Sequence, residues 1–467
     1  MADDQIESLL AWATRQGALI HPSVQVYRSP ATGLSLRVKP TVAAGPDPSE
    51  AILRVPTSLT LSYLDASSPT SSFPPELAAG LPPHVVGRLL LIRQYLLGPS
   101  SFWWPYIQAL PQPKQADQSW RLPPFWPPDD VDLLDGTNVG VGAAQIRQDV
   151  AAELTLAREL LRHQDGQDAV ALAEALRAPD LYHWAYCIFS SRSFRPALVL
   201  SPSSHQHSLL AERGASLDDF SVLFPLFDIA NHDMTAHVEW RLDDKFSQSC
   251  ELRVHRLHAP GAQIFNNYSL KTNAELLLGY GFILPVTDEV HNDYVHVRKR
   301  GTATSDYLIS LRPLAQPSSL LVRSRDRQSP CKSDDGVLGA FRHVQPDLVW
   351  DIFCTMAPLE RLARLIPTQE DEGDDNKDFE YERRRRFLTG RVAGDCRPYL
   401  EQTMALVQHK VVLELERLNE TDLEVVGADV DLLSRNQRLA LDYRARCRRV
   451  LENTIEAMEG FAVDDEE

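Results

Sequence analysis

Strand-like runs flank a helical block of about a hundred residues, and that order does most to limit what the chain can become. The runs GLSLRV (33–38) and AILRVPTSLTL (51–61) come first. From about 84 to 190 the pattern is helical: VVGRLLLIRQYLL, AAQIRQDVAAELTLARELLRH and LYHWAYCIFSSR carry apolar residues at three- and four-residue spacing. Proline-rich breaks such as RLPPFWPPDD divide them. Short strands return near HVEWRLDD, CELRVHRL and AQIFNNY. A small β domain that holds a helical insert fits this order, so the fold class is α+β. An amphipathic helix over the first 20 residues turns Ile6, Leu9, Leu10 and Ala13 to one side. Past Arg300 the chain is loop-like, and then helical in LVWDIFCTMAPLERLARLI, RPYLEQTMALVQHKVVLELERL and LLSRNQRLALDYRARCRRVLENTIEAME. The expected organisation is therefore a β domain over 1–300 with its insert at about 103–222, a connecting segment 301–336, an all-helical domain 337–460 and an acidic tail 461–467.

Composition excludes several classes. The 467 residues suffice for two or three domains, and the 43% apolar content suits a globular chain. The most hydrophobic stretch, VVGRLLLIRQYLLG, is interrupted by Arg88 and Arg93 well short of the ~20 residues a membrane span needs. The start, MADDQIESLLAWATRQ, opens acidic and has no basic region ahead of an apolar one, so an intracellular protein, cytoplasmic or nuclear, is expected. Six scattered cysteines without a C-x-x-C pair argue against structural zinc and against a disulfide framework. A formal charge of −17 disfavours general nucleic-acid binding and suits a basic protein partner, although solubility alone explains it equally well.

Several motifs dissolve on inspection. GTNVGVGA (136–143) lacks the lysine of a phosphate loop and reads as a turn entering a helix. SSHQH (203–207), with His232 and His237, matches no metal-ligand spacing. Ser190, Ser191 and Ser193 flank Arg192 without a nucleophile elbow. The acidic run and four arginines of TQEDEGDDNKDFEYERRRRF read as a solvated loop and a charged helix face.

Two clusters remain. FPLFDIANHD (224–233) ends an apolar run with Asp228, Asn231 and His232, where polar groups need partners. NNYSLKTNAELLLGYGF (266–282) sets Tyr268 on a loop before a short helix, which Thr272 and Glu275 cap as a box and Gly281 ends. Read locally, the first is more readily a satisfied polar cluster and the second a tyrosine anchoring a turn.

In this order and spacing the two clusters resemble the SET-domain protein methyltransferases, specifically the Rubisco large-subunit methyltransferase group. SSFWWPYIQALP (100–111), SSRSF (190–194) and NQRLALDYRARCRRVLE near the C-terminus are similar to further segments of that group, so the resemblance runs along nearly the whole chain. It implies a SET β-fold with a helical insert, a helical substrate-binding domain, and S-adenosylmethionine as cofactor with no metal. It places Asn231 and His232 at the adenine, Asp228, Arg192 and Phe102 around the cofactor, Arg37 near its methionine end, and Tyr268 in the catalytic position. Phe224, Phe227 and Tyr280 lie in segments suited to a slot for the acceptor side chain, with core packing as the alternative, and Lys271 either touches substrate or reaches solvent. One departure is visible: the family's G-x-G-L pattern reads TGLSLRV here, with Ser35 at the second glycine.

The expected activity is protein-lysine N-methylation of a non-histone protein by a monomeric enzyme, and the group's substrates include ribosomal proteins. A histidine acceptor and a catalytically silent protein-binding module are the alternatives.

Overall fold

The computed structural model describes residues 2–68, 70–115, 118–201, 206–243, 248–298, 306–323, 336–368, 379–422 and 432–459. The chain packs as two compact units, one of residues 1–125 and 146–269, the other of 126–145 and 270–467.

The first unit carries strands β1 to β9. β1 (Leu19–Ile20), β4 (Ala51–Pro56), β8 (Ser249–Val254) and β7 (Val238–Asp243) form an antiparallel sheet in the order β1-β4-β8-β7. A second sheet runs β2 (Val24–Ser29), β3 (Gly33–Val38), β9 (Gln263–Ile264), and a third pairs β5 (Ser193–Phe194) with β6 (Val222–Leu223). The β2–β3 turn closes on Gly33, whose φ of +71° is a conformation that costs a side-chain-bearing residue free energy. Alternation along β3 sends Leu36 and Val38, both fully buried, into the core. Ser35 and Arg37 share the other face, opposite Tyr27 and Gln25 of β2.

Helices complete this core. The 83–97 helix buries Val85, Val86, Leu89, Leu90, Leu91 and Ile92 nearly all round, which explains its resemblance to a membrane segment. Its two arginines are paired inside the unit: Arg88 bonds Glu153, and Arg93 meets Asp168 at 2.6 Å. Such partly buried pairs hold position more than they add stability.

The described residues of 337–459 are helical, as expected, and the second unit adds a β hairpin ahead of them. β10 (Tyr294–Arg298) and β11 (Asp306–Ser310) pair antiparallel and sink Val295, Val297, Tyr307 and Ile309 into the same core as Trp350, Phe353, Phe387 and Tyr443 of the helices. The charged Arg298–Lys299–Arg300 run at the end of β10 disguises that hairpin as surface loop in the sequence. The compact units accordingly divide at 269/270 rather than near 300. The long helices Arg397–Glu420 and Arg435–Glu459 match their patterns. LVWDIFCTMAPLERLARLI instead breaks into Pro346–Met356 and a turn at Leu362–Leu365, because Ala357 is held extended ahead of Pro358. The capping box at Thr272 forms: Glu275 Oε2 accepts from the Thr272 N–H at 2.8 Å, Thr272 Oγ1 accepts from the Glu275 N–H at 3.3 Å, and Gly281 ends the helix at φ +77°.

Other local differences have simple causes. AILRVPTSLTL stops as a strand at Pro56, where a 3-10 turn begins. AQIFNNY gives only the two-residue β9, and β2, whose VQVYRS mixes polar and apolar residues, carries too weak an alternation to read as a strand. Residues 203–205 of SSHQH, most of the acidic run before the four arginines, Cys331 and the tail lie outside the described residues.

Candidate active site

The two polar clusters meet inside the first unit. Three successive residues of the upstream segment each take a hydrogen bond from the downstream one. The Asn231 carbonyl accepts from the Asn266 N–H at 2.7 Å, His232 Nδ1 from the Tyr268 N–H at 3.0 Å, and the Ala230 carbonyl from the Tyr268 hydroxyl at 2.9 Å. The Asp233 N–H returns a bond to the Asn266 carbonyl at 2.9 Å, and His232 and Asn266 form an isolated parallel bridge. The His232 and Tyr268 rings stack at 4.9 Å with 15° between their planes. His232 thus accepts at Nδ1, which requires a lone pair there.

Each segment is tied down at its flanks. Asn267 Nδ2 donates to the Met234 and Ala236 carbonyls at 3.1 and 3.2 Å, and Asn267 Oδ1 accepts from the Ser269 N–H at 2.9 Å. Asn266 Oδ1 accepts from Trp240 Nε1 at 3.3 Å. Two non-glycine residues with positive φ frame the pair, Leu226 (+71°) ahead of the first segment and Ser269 (+79°) just after Tyr268. Such conformations cost about 1–3 kcal/mol each and persist where the surroundings over-determine them.

Asp228 is placed differently from the expectation that it faces the cofactor. Its side chain is only 2% exposed; Tyr106 donates to Oδ2 at 3.0 Å, and Arg192 Nη1 lies 3.4 Å from both Oδ2 and the Asp228 carbonyl. Burial raises the Asp228 pKa while Arg192 opposes the rise, and burial followed by the Asp228 charge holds the Tyr106 phenol well above its usual range. Asp228 therefore acts on Arg192, whose side chain keeps 24% of its surface exposed.

Asn231 is half-buried, and its Nδ2 donates to Ser35 Oγ at 2.8 Å. Arg37, two residues along the same face of β3, stands over the Tyr27 ring at 4.3 Å, and with the Gln25 amide oxygen turned toward it donates through Nε and Nη2 at 2.7 Å each. Phe102 is 44% exposed, edge-on to Trp12 at 5.5 Å and to Trp103 at 5.2 Å.

Of the residues expected to line the acceptor slot, Phe224 and Phe227 are fully buried, stacked on each other at 4.5 Å, with Phe227 also against Trp240. Their rings pack the core and present no face to solvent. Lys271 and Tyr280 belong to the second unit, where the ammonium lies 5.7 Å from the ring centre. Sequence reasoning missed Ala230 and Tyr106, and treated Ser35 only as a departure. No local signal marks any of them, since each acts through a partner 38 to 196 residues away or through its backbone.

The Asn231 amide is half-buried, Arg192 is partly exposed and the Phe102 ring is exposed, and an amide, a guanidinium and an aromatic ring are groups of the kind that could hold N–H donors, a carboxylate and an aromatic base such as those of S-adenosylmethionine.

No family model matches the chain. Among curated proteins it is 28% identical over 284 residues to the ribosomal lysine N-methyltransferase set10 of Schizosaccharomyces pombe, covering 60% of this chain and 46% of that protein. It is 24% identical over 310 residues to the protein-lysine N-methyltransferase EFM1 of Saccharomyces cerevisiae (60% and 49%), and 24% over 314 residues to the human actin-histidine N-methyltransferase (66% and 47%). The chain spans about half the length of the curated relatives it matches. Among solved structures, the SET domain of LSMT bound to lysine and AdoHcy aligns with a TM-score of 0.61 at 17% identity, over 98% of this chain and 91% of that one. Rubisco LSMT bound to AdoMet aligns with a TM-score of 0.58 over 98% and 92%. The fold is that of these SET-domain structures.

Proposed function

We propose that this SET-fold chain is an S-adenosylmethionine-dependent protein-lysine N-methyltransferase. The observation that carries the reading is the triple attachment of 266–268 to 230–232, which sets the Tyr268 phenol against the Ala230 carbonyl, one residue from the Asn231 amide. Two lysine methyltransferases among the curated relatives support it.

When bound, S-adenosylmethionine supplies a methyl group activated by a sulfonium. The residues to hold it are the Asn231 amide, the His232 backbone, Arg192, the Phe102 ring and, at the methionine end, Arg37. Asp228 serves by keeping Arg192 in place. Tyr268 is the catalytic residue, with its hydroxyl proton held on the Ala230 carbonyl so that the phenol oxygen is fixed in place to orient the reacting groups. An acceptor lysine must arrive neutral, and lowering its pKa from ~10.4 to about 7 corresponds to roughly 4.6 kcal/mol. Burial against the fixed tyrosine loop and a neighbouring positive charge both push in that direction. No carboxylate base is needed, and Asp228, committed to Tyr106 and Arg192, is not available as one.

The substrate is a protein, and a ribosomal protein is the first to test because the fission-yeast relative is named for that activity. Incubation of the purified chain and methyl-labelled S-adenosylmethionine with extract of cells lacking the protein, followed by mass spectrometry, should find the label on a lysine of one or a few proteins. Label on histidine would reassign the acceptor. Calorimetric cofactor binding without transfer at any extract concentration would instead make the chain a binding module.

A further inference from the structure

We infer that Ser35 is a positioning residue for the cofactor site: its hydroxyl fixes which end of the Asn231 carboxamide faces outward. The inference rests on the methyltransferase reading and deepens it. Ser35 is fully buried, and its Oγ has three polar neighbours: Thr32 Oγ1 at 2.9 Å, the Gly33 carbonyl at 3.2 Å and Asn231 Nδ2 at 2.8 Å. A hydroxyl has one proton to give and two lone pairs to receive with. The Gly33 carbonyl can only accept, so the Ser35 proton goes there. The two lone pairs then take the Thr32 hydroxyl proton and one Asn231 N–H, and the hydroxyl is saturated.

That saturation gives the amide a direction. Flipping the carboxamide would oblige the Ser35 hydroxyl to swing its proton from the Gly33 carbonyl to Oδ1, so the flipped state gives up the bond to Gly33 in a buried place. Asn231 therefore keeps Nδ2 on Ser35 and turns Oδ1 outward, as an acceptor for an N–H donor of the ligand. S-adenosylmethionine has two such donors, the 6-amino group of its adenine and its α-ammonium. A glycine at position 35, as in TGLGL-type sequences, could not orient the amide in this way. The serine loses nothing in conformation, because the positive φ of this turn falls on Gly33 and not on Ser35.

The test measures calorimetric affinity for S-adenosylhomocysteine in wild type, Ser35→Ala and Ser35→Gly, each also in an Asn231→Ala background, with thermal melting to confirm folding. Loss of one oriented hydrogen bond should weaken binding about five- to tenfold in both Ser35 variants. In turnover the loss should fall on the cofactor KM rather than on kcat. In the Asn231→Ala background the Ser35 substitutions should add no further weakening. The inosine analogue of S-adenosylhomocysteine, which lacks the 6-amino group, separates the two donors: insensitivity of its affinity to Ser35→Ala assigns Oδ1 to the adenine, and an undiminished effect assigns it to the ammonium. Wild-type affinity in Ser35→Ala, weakening by Ser35→Gly alone, or equal weakening with and without Asn231 would overturn the inference. A folded wild-type chain that binds neither probe sinks the methyltransferase reading itself, and this inference with it.

Discussion

The Tyr268 backbone N–H donates to His232 Nδ1 at 3.0 Å while the two rings lie stacked 4.9 Å apart, so the imidazole holds both the main chain and the side chain of the residue assigned to catalysis. Together with the bond from the Tyr268 hydroxyl to Ala230, this leaves the phenol little freedom to search. Pre-organisation of this kind is where a group-transfer site gains most of its rate.

Tyr268→Phe removes the hydroxyl and leaves the stack. Turnover should fall by roughly a hundredfold, the usual loss for one pre-organised polar group, with cofactor affinity changed by less than about twofold. Single-turnover kinetics beside calorimetry separates the two quantities. Unchanged turnover would remove Tyr268 from the mechanism.

Asn231→Ala should act on the other quantity. The amide and its bond to Ser35 are lost together, and cofactor binding should weaken about tenfold or more. An unaltered Kd would contradict the assignment of Asn231 to the cofactor.

His232→Ala and His232→Asn form an informative pair. Asparagine retains an acceptor near the place of Nδ1 and alanine does not, so alanine should cost about 1 kcal/mol more than asparagine in the barrier to transfer. Equal kcat in the two variants would show that the imidazole does not position Tyr268.

Asp228→Ala tests a burial argument. Removing the carboxylate leaves Arg192 without its charge partner and the buried Tyr106 hydroxyl without its acceptor, at a cost of about 3 kcal/mol or more in stability. Denaturant unfolding should show this loss even without cofactor, which a residue serving only to touch ligand would not produce.

His291 gives the second unit an acid sensitivity. It is fully buried, stacked on Tyr294 at 5.0 Å and 2.9 Å from Ser310 Oγ; burial first, then the nearby Arg312 and His343, push its pKa down to about 4. Between pH 6.5 and 4 the unfolded chain binds this proton and the folded chain does not. The stabilisation is complete above about pH 6.5 and is lost as the pH falls toward 4, by about 2–3 kcal/mol. Melting curves across that range should flatten in His291→Gln; an unchanged slope would show that His291 is not the source.

What could be read from the chain beforehand follows sequence distance. The Thr272–Glu275 box and the 83–97 helix depend on residues three and four apart, and they form as expected. The pairing of Asn231 and His232 with Tyr268 crosses more than thirty residues and was visible only through resemblance to a family. The Ser35–Asn231 and Tyr106–Asp228 bonds cross 196 and 122 residues and had no sequence signal at all. Phe224 and Phe227 illustrate the reverse error: aromatic type suggested a slot, yet neighbours that no periodicity reveals closed both rings into the core.

The parallel bridge between His232 and Asn266 has one further consequence. The paired strands β7 and β8 lie between these residues, so their register decides how far apart the two ends are delivered. A nascent chain in which that ribbon has slipped lacks the ligand cradle and the phenol at once. On the methyltransferase reading, immature copies would therefore bind no methyl donor.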